Sequence, residues 1–307
     1  MVSFFRGLFS FRHFRLLAQS CWALLTNSYI VGFFQGKIYS GKLKSLCLPG
    51  LNCYSCPGSL GSCPIGSLQA VLGSAKYKIS FYLLGFFLLI GTFLGRFVCG
   101  FLCPFGLLQD LLNKIPFFKK IKTFRGDRLL RSAKYLILLI FVIILPMFVV
   151  DAAGTGSPWF CKWICPAGTF QGGIPLVLAN SFLQEIVGFL FTWKVLILAL
   201  TIFASIVIYR PFCKYICPLG AIYALFNKVA LYRYHVNENK CTKCLKCDSA
   251  CPMNISPHRE TNHPECIRCG DCKSACKFGA ISSGFCAGSG ERGDKKQETK
   301  QEMEGGV

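Results

Sequence analysis

The stretch CTKCLKCDSACP near the carboxyl end carries Cys241, Cys244, Cys247 and Cys251. A second run, CIRCGDCKSAC, carries Cys266, Cys269, Cys272 and Cys276. Both read C-x-x-C-x-x-C-x-x-x-C. That is the ligand pattern of bacterial two-cluster ferredoxins, in which the fourth cysteine of each run serves the other cluster. One [4Fe-4S] cluster would take Cys241, Cys244, Cys247 and Cys276. The other would take Cys266, Cys269, Cys272 and Cys251. Paired C-x-x-C motifs also bind zinc, but three-plus-one spacing, twice over, is a poor zinc pattern. Lys277 stands where Pro252 follows the first run, which leaves the ligands intact.

A second cysteine theme recurs four times: CYSCPGSLGSCPIGSLQAVLG, CGFLCPFGLLQDLLNKI, CKWICPAGTFQGGIPLVL and CKYICPLGAIYALFNKV. Its core is C-x-x-x-C-P-x-G followed by an amphipathic stretch. Cysteines four apart share one face of a turn and can offer two thiolates to one cluster. Proline suits the first turn of the next helix, and that helix presents its positive end to an anionic cluster. One copy supplies two ligands, so copies must pair. Copies two and four predict a cluster on Cys99, Cys103, Cys213 and Cys217. Copies one and three predict another on Cys161 and Cys165 plus two of Cys53, Cys56 and Cys63. A Cys161–Cys165 disulfide competes where the surroundings are oxidising. Arg96 and Arg210 sit three residues before the paired cysteines of copies two and four. They read as interfacial charges or as hydrogen-bond donors that bind the cluster and raise its potential. Cys21, Cys47 and Cys286 belong to no motif and read as packing.

These motifs need elements to hold them. Of 307 residues, 53% are hydrophobic and 16% charged, too few charges for a soluble domain of this size. Four stretches read as transmembrane helices, at 14–34, 77–98, 133–150 and 191–209. The net charge of +20 gathers beside them, which points to topology and away from nucleic acid. Segment 99–132 holds Lys114, Lys119, Lys120, Lys122, Arg125, Arg128 and Arg131 and is expected in the cytoplasm. Segment 151–190 holds only Lys162 as a cation and is expected outside. Both termini are then cytoplasmic. Lys37, Lys42, Lys44 and Lys76 in the loop 35–76, expected outside, run against that assignment.

The fold class expected is an α-helical integral membrane protein of the cytoplasmic membrane. It has four transmembrane helices, short re-entrant or amphipathic helices and an inverted repeat. A carboxyl-terminal two-[4Fe-4S] ferredoxin-like α+β domain follows. The divisions are 1–234 for the membrane domain, 235–286 for the ferredoxin domain and 287–307 for a disordered tail.

The chain resembles the NapH-type membrane ferredoxins, the quinol dehydrogenase subunits associated with periplasmic nitrate reductase. The resemblance rests on the span–C-x-x-x-C-P units at 77–104 and 191–218 and on the runs at 241–276. It implies four spans, cytoplasmic ferredoxin clusters and electron transfer toward an extracytoplasmic acceptor. Similar modules occur in regulators of nitrous oxide reductase and in a cytochrome oxidase assembly factor. The richer copies one and three depart from the simplest members and favour direct transfer across the membrane.

The function expected is an electron conduit. A cytoplasmic donor, such as a ferredoxin or flavoprotein, reduces the ferredoxin domain. Electrons reach an extracytoplasmic flavin, haem or Fe–S protein through the two membrane-domain clusters. Such solvent-near clusters point to anaerobic life. One alternative is a quinol-oxidising subunit that binds quinone, with Asp151 and Glu185 as available acids. Another is a redox sensor or assembly factor. The conduit has a spatial difficulty: the hydrocarbon core is about 30 Å thick, so clusters at opposite surfaces would be too far apart. Re-entrant half-helices at 64–73 and 166–180 would relieve it.

Overall fold

The computed structural model describes residues 11–74, 80–117, 119–150 and 155–285. Lys76, Asp151, Cys286 and the expected tail 287–307 lie outside the described residues.

Among the described residues, two helices are long and apolar enough to cross a membrane, Asp127–Phe148 and Phe189–Val207. They correspond to the third and fourth expected spans. The third starts earlier than its apolar run because Gly126 takes φ +93° and Asp127 occupies the first turn. A carboxylate there meets the positive helix end. The second expected span is the shorter apolar helix Phe81–Leu94. Ser80 caps its start, and Gly95 stops it with φ +52°. The first is the helix Phe11–Thr26, of 16 residues, followed by Val31–Gln35. Its buried polar side chains Arg15 and Gln19 face the centre of the molecule: Arg15 pairs with Asp110, and Gln19 donates to the Cys103 carbonyl.

Each C-P-x-G copy opens a helix with proline at its first position: Pro64–Leu72, Pro104–Asn113, Pro166–Gly168 and Pro218–Phe226. The cysteine before each proline is extended, the conformation that the residue preceding proline prefers. In copies two, three and four the earlier cysteine sits on a short helix of its own: Phe97–Phe101, Trp159–Trp163 and Pro211–Tyr215. Copy one has no such helix, and its cysteines Cys53 and Cys56 lie in a loop.

The ferredoxin-type part is a small α+β unit. Strand β1 (Tyr232–Val236) pairs antiparallel with β2 (Ile281–Phe285), Tyr232 opposite Phe285 and Val236 opposite Ile281. Two short helices, Lys246–Ala250 and Asp271–Ala275, complete it. The expected division at 234/235 falls inside β1. One hydrophobic core joins both parts: it contains Cys63, Cys99, Cys103, Cys165, Cys213 and Cys217 together with Cys251 and Cys269.

Candidate functional site

The four-cysteine sets come together in pairs of copies. The Cys213 and Cys217 thiols face Cys99 and Cys103, each within electrostatic range of the others. Burial, then the neighbouring thiolates, push Cys213 up to about 12 and Cys217 well above the usual thiol range. In the other set, Cys161 faces Cys165, Cys63 and Cys53. Burial holds Cys63 at about 12 and Cys165 at about 11. Cys56 lies within electrostatic range of Cys53, but its sulfur turns to Asn27 Oδ1 at 3.6 Å. A cavity of about 920 Å³ is lined by Cys53, Cys63, Cys161 and Cys165 together. All described cysteines are free thiols.

The ferredoxin-type part repeats the arrangement. Cys241, Cys244, Cys247 and Cys276 line one hollow. Cys272 lies within electrostatic range of Cys266 and Cys251, and Cys269 of Cys266. Burial lifts Cys272 to about 12.

These residues fit iron–sulfur clusters. Crowded, buried thiols of raised pKa ionise only when a cation arrives to share the cavity. N–H groups already aim at the sulfurs: Gly106 N donates to Cys103 Sγ and Gly220 N to Cys217 Sγ, both at 3.4 Å. Such donors stabilise thiolate ligands.

Arg96 and Arg210 are fully buried, so neither is an interfacial charge. Their hydrogen-bonded N–H groups end on oxygen, while Arg96 Nε–H is buried without a partner. Arg96 Nη1 donates to Glu265 Oε2 (2.6 Å), and Nη2 donates to the Cys213 carbonyl (3.3 Å). Arg210 Nε and Nη2 grip Asp110, and Nη1 donates to the Cys99 carbonyl. Each arginine thus holds the cysteine backbone of the opposite copy. Arg210 adopts φ +48° before Pro211, a conformation disfavoured at that position and held here by the Asp110 fork. Asp110 also pairs with Arg15 at 3.2 Å. Asp110→Ala should leave two buried guanidinium groups without a carboxylate and cost about 3–5 kcal/mol, read as a lower midpoint in detergent-solubilised denaturation. An unchanged midpoint would show the fork to be dispensable.

Asp127 anchors the residues between the paired cysteines of copy four. Its carboxylate takes Lys214 Nζ and the Tyr215 hydroxyl, both at 2.6 Å. Lys44, whose charge ran against the expected topology, is buried: Nζ donates to the Ser59 carbonyl at 2.8 Å and sits over the Tyr54 ring. It counts as an interior charge and carries no topological signal. Glu185 lies on the short helix Ser181–Glu185, whose residues are all exposed or half-buried.

Three residues that spacing alone did not single out belong to the sites: Gln69, Gln109 and Gln171. Each is the sixth residue after the cysteine of C-P-x-G in copies one, two and three. That recurrence was a readable signal. Gln171 Oε1 accepts from Cys53 N at 2.7 Å. The fourth copy has Tyr223 there. Its buried ring lies within electrostatic range of Cys99 and Cys103 on one side and Cys63 on the other.

The sites are close neighbours. The Leu51 N–H faces the Cys103 sulfur, and Cys53 follows two residues later. Covalent reach then limits the Cys103-to-Cys53 sulfur separation to about 15 Å. Toward the ferredoxin-type part, Gly100, next to Cys99, packs so tightly that an added Cβ would stand 2.4 Å from the carbonyl of Ile267, next to Cys266. Gly100→Ala should therefore push the two parts apart and cost about 1–3 kcal/mol. Unaltered denaturation of the variant would refute that contact.

The 4Fe-4S binding domain family matches residues 79–125, 135–179 and 189–234, one block for each of copies two, three and four. An uncharacterized protein of Methanocaldococcus jannaschii is 31% identical over 167 residues, covering 53% of this chain and 60% of its own length. The ferredoxin-type protein NapH of Escherichia coli is 25% identical over 158 residues, 51% of this chain and 47% of its own. The chain is similar to the NapH-type proteins, and three of its blocks match 4Fe-4S binding domains. The regulatory protein NosR of Stutzerimonas stutzeri is a further relative, 28% identical over 173 residues, 54% of this chain and 21% of NosR. The chain spans about half the length of the first curated relatives it matches. No solved structure matches it. Its similarity is to iron–sulfur and electron-transport proteins, and two of its described helices have the length and hydropathy to cross a membrane.

Proposed function

We propose that the chain conducts electrons across the cytoplasmic membrane through four [4Fe-4S] sites. A cytoplasmic ferredoxin or flavoprotein delivers them to the ferredoxin-like domain, and an extracytoplasmic flavin, haem or Fe–S protein receives them. The clusters would supply one-electron storage at each site. The chain's own residues do the rest. They hold Cys99, Cys103, Cys213 and Cys217 as the inner set and Cys53, Cys63, Cys161 and Cys165 as the outer set. They also bury the inner set, and in the outer set they bury Cys63 and Cys165 and half-bury Cys53 and Cys161. The observation that carries this reading is the Leu51–Cys53 link, which brings the inner and outer sulfurs within about 15 Å. That spacing removes the difficulty posed by a 30 Å hydrocarbon core. Four spans, with cytoplasmic termini and an inverted repeat, are part of the same proposal.

A quinol-oxidising subunit is the second reading, and one observation favours it. Phe141, Trp159, Trp163, Phe189 and Trp193 line an open hollow of about 440 Å³. The indole N–H groups of Trp159 and Trp163, on either side of Cys161 in the sequence, are buried without a hydrogen-bond partner. Reduction kinetics separate the readings. A reduced ferredoxin should reduce the clusters of anaerobic protein in nanodiscs faster than a soluble quinol does. Faster reduction by the quinol would replace the conduit with the quinol dehydrogenase.

A further inference from the structure

Gln69 and Gln109 make the same set of bonds at the two membrane-domain sites. Gln109 Oε1 accepts the Phe212 N–H at 3.2 Å, and Nε2 donates to Cys213 Sγ at 3.1 Å and to the Phe105 carbonyl at 3.3 Å. Gln69 Oε1 accepts the Phe160 N–H at 2.9 Å, and Nε2 donates to Cys161 Sγ at 3.2 Å and to the Ile65 carbonyl at 3.3 Å. Both side chains are at most 1% exposed. In each case the glutamine of one copy reaches the earlier cysteine of its partner copy. It takes the N–H of the residue immediately before that cysteine.

The bonds fix the amide's orientation. A backbone N–H requires the oxygen end, so the NH₂ end must face the sulfur and the carbonyl. The division of labour is also regular. The later cysteines Cys63, Cys103, Cys165 and Cys217 receive N–H groups from their own P-x-G turns. Cys161 and Cys213 precede no such turn, and the glutamine serves them.

We infer that Gln69 and Gln109 are potential-setting positioning residues: each gives an N–H···S bond to a cluster thiolate and thereby favours the reduced cluster. An added electron raises the negative charge on the sulfurs, so a fixed donor stabilises the reduced state more than the oxidised one. The donors also come without water, in a site where the local dielectric is low. This inference rests on the reading that these thiols hold clusters.

The test is redox titration of the full chain, purified without oxygen and monitored by electron paramagnetic resonance, comparing wild type with Gln109→Leu and Gln69→Leu. Each substitution should make reduction of its own cluster about tenfold less favourable, a shift of about 59 mV downward for one electron. The other clusters should stay where they were. Iron content per chain is measured in parallel. An iron-loaded variant with an unshifted potential would overturn the inference but leave the clusters standing. An inner site without iron in the wild type would overturn both. Should the leucine variants lose iron, the wild type still decides the matter. Protein labelled with ¹⁵N in glutamine side chains should show hyperfine coupling between the reduced cluster and the amide nitrogen, and its absence would dispose of the bond.

Discussion

Glu265→Ala should destabilise the protein by about 3–5 kcal/mol and loosen the ferredoxin-type part from the helices. Glu265 is 4% exposed and stands immediately before Cys266. Its Oε2 accepts from Arg96 at 2.6 Å, and its Oε1 accepts from Lys134. Both cations come from the helical part and both are fully buried. Removing the carboxylate leaves two charges in an apolar site with no anion, which costs far more than a surface pair is worth. Arg96 also holds the Cys213 carbonyl, so the disturbance should reach that site. Detergent-solubilised chemical denaturation reads the effect, and a loss under about 1 kcal/mol would show the triad to be unimportant.

The same carboxylate gives a pH dependence. Burial opposes its ionisation, but the Arg96 and Lys134 charges outweigh burial and hold it at about 2, below the ordinary 4.5. A group depressed in the folded state stabilises above its unfolded pKa. The contribution is therefore complete above about 4.5 and is lost as the pH falls toward about 2. Glu265→Gln should flatten the stability profile in that window.

Cys165→Ala should abolish electron transfer to the outer acceptor while leaving reduction of the ferredoxin-like domain intact. Altering residues that merely orient ligands typically costs 10–100-fold, so deleting a ligand should exceed about 100-fold. Cys165 is buried and lies against Cys53, in the set farthest along the proposed path. The comparison is made in proteoliposomes, with a reduced ferredoxin on one face and a membrane-impermeant acceptor on the other. Undiminished transfer would mean that electrons leave before reaching Cys165. Cys56→Ala is the control. Its sulfur faces Asn27, and transfer should survive.

The legible parts of the sequence were the local ones. Ferredoxin cysteines announce themselves because three ligands lie within one run, and the C-P-x-G turns do so because proline fixes the helix start. Pairing of copies two with four, and one with three, followed from counting ligands. The choice among Cys53, Cys56 and Cys63 did not. Copy one lacks the short helix that presents the earlier cysteine elsewhere, and the direction of the Cys56 sulfur depends on Asn27, a residue far back in the chain. The arginines were visible as charges, but their direction was not. Whether Arg96 points at sulfur or oxygen depends on Glu265, 169 residues away in sequence. Gly95, Gly126 and Arg210 bend the chain at positive φ, and these bends set the ends of helices that hydropathy alone places a few residues off. The closeness of the sites depends on the 49–52 loop reaching Cys103, a contact that no pattern in the loop announces.

The most direct measurement is iron per chain in protein purified without oxygen, with Cys161→Ala and Cys165→Ala alongside. Four clusters predict about 16 irons in the wild type and about 12 in either variant. About eight irons in the wild type, unchanged in both variants, would mean that only the ferredoxin runs bind clusters and that the paired copies hold none.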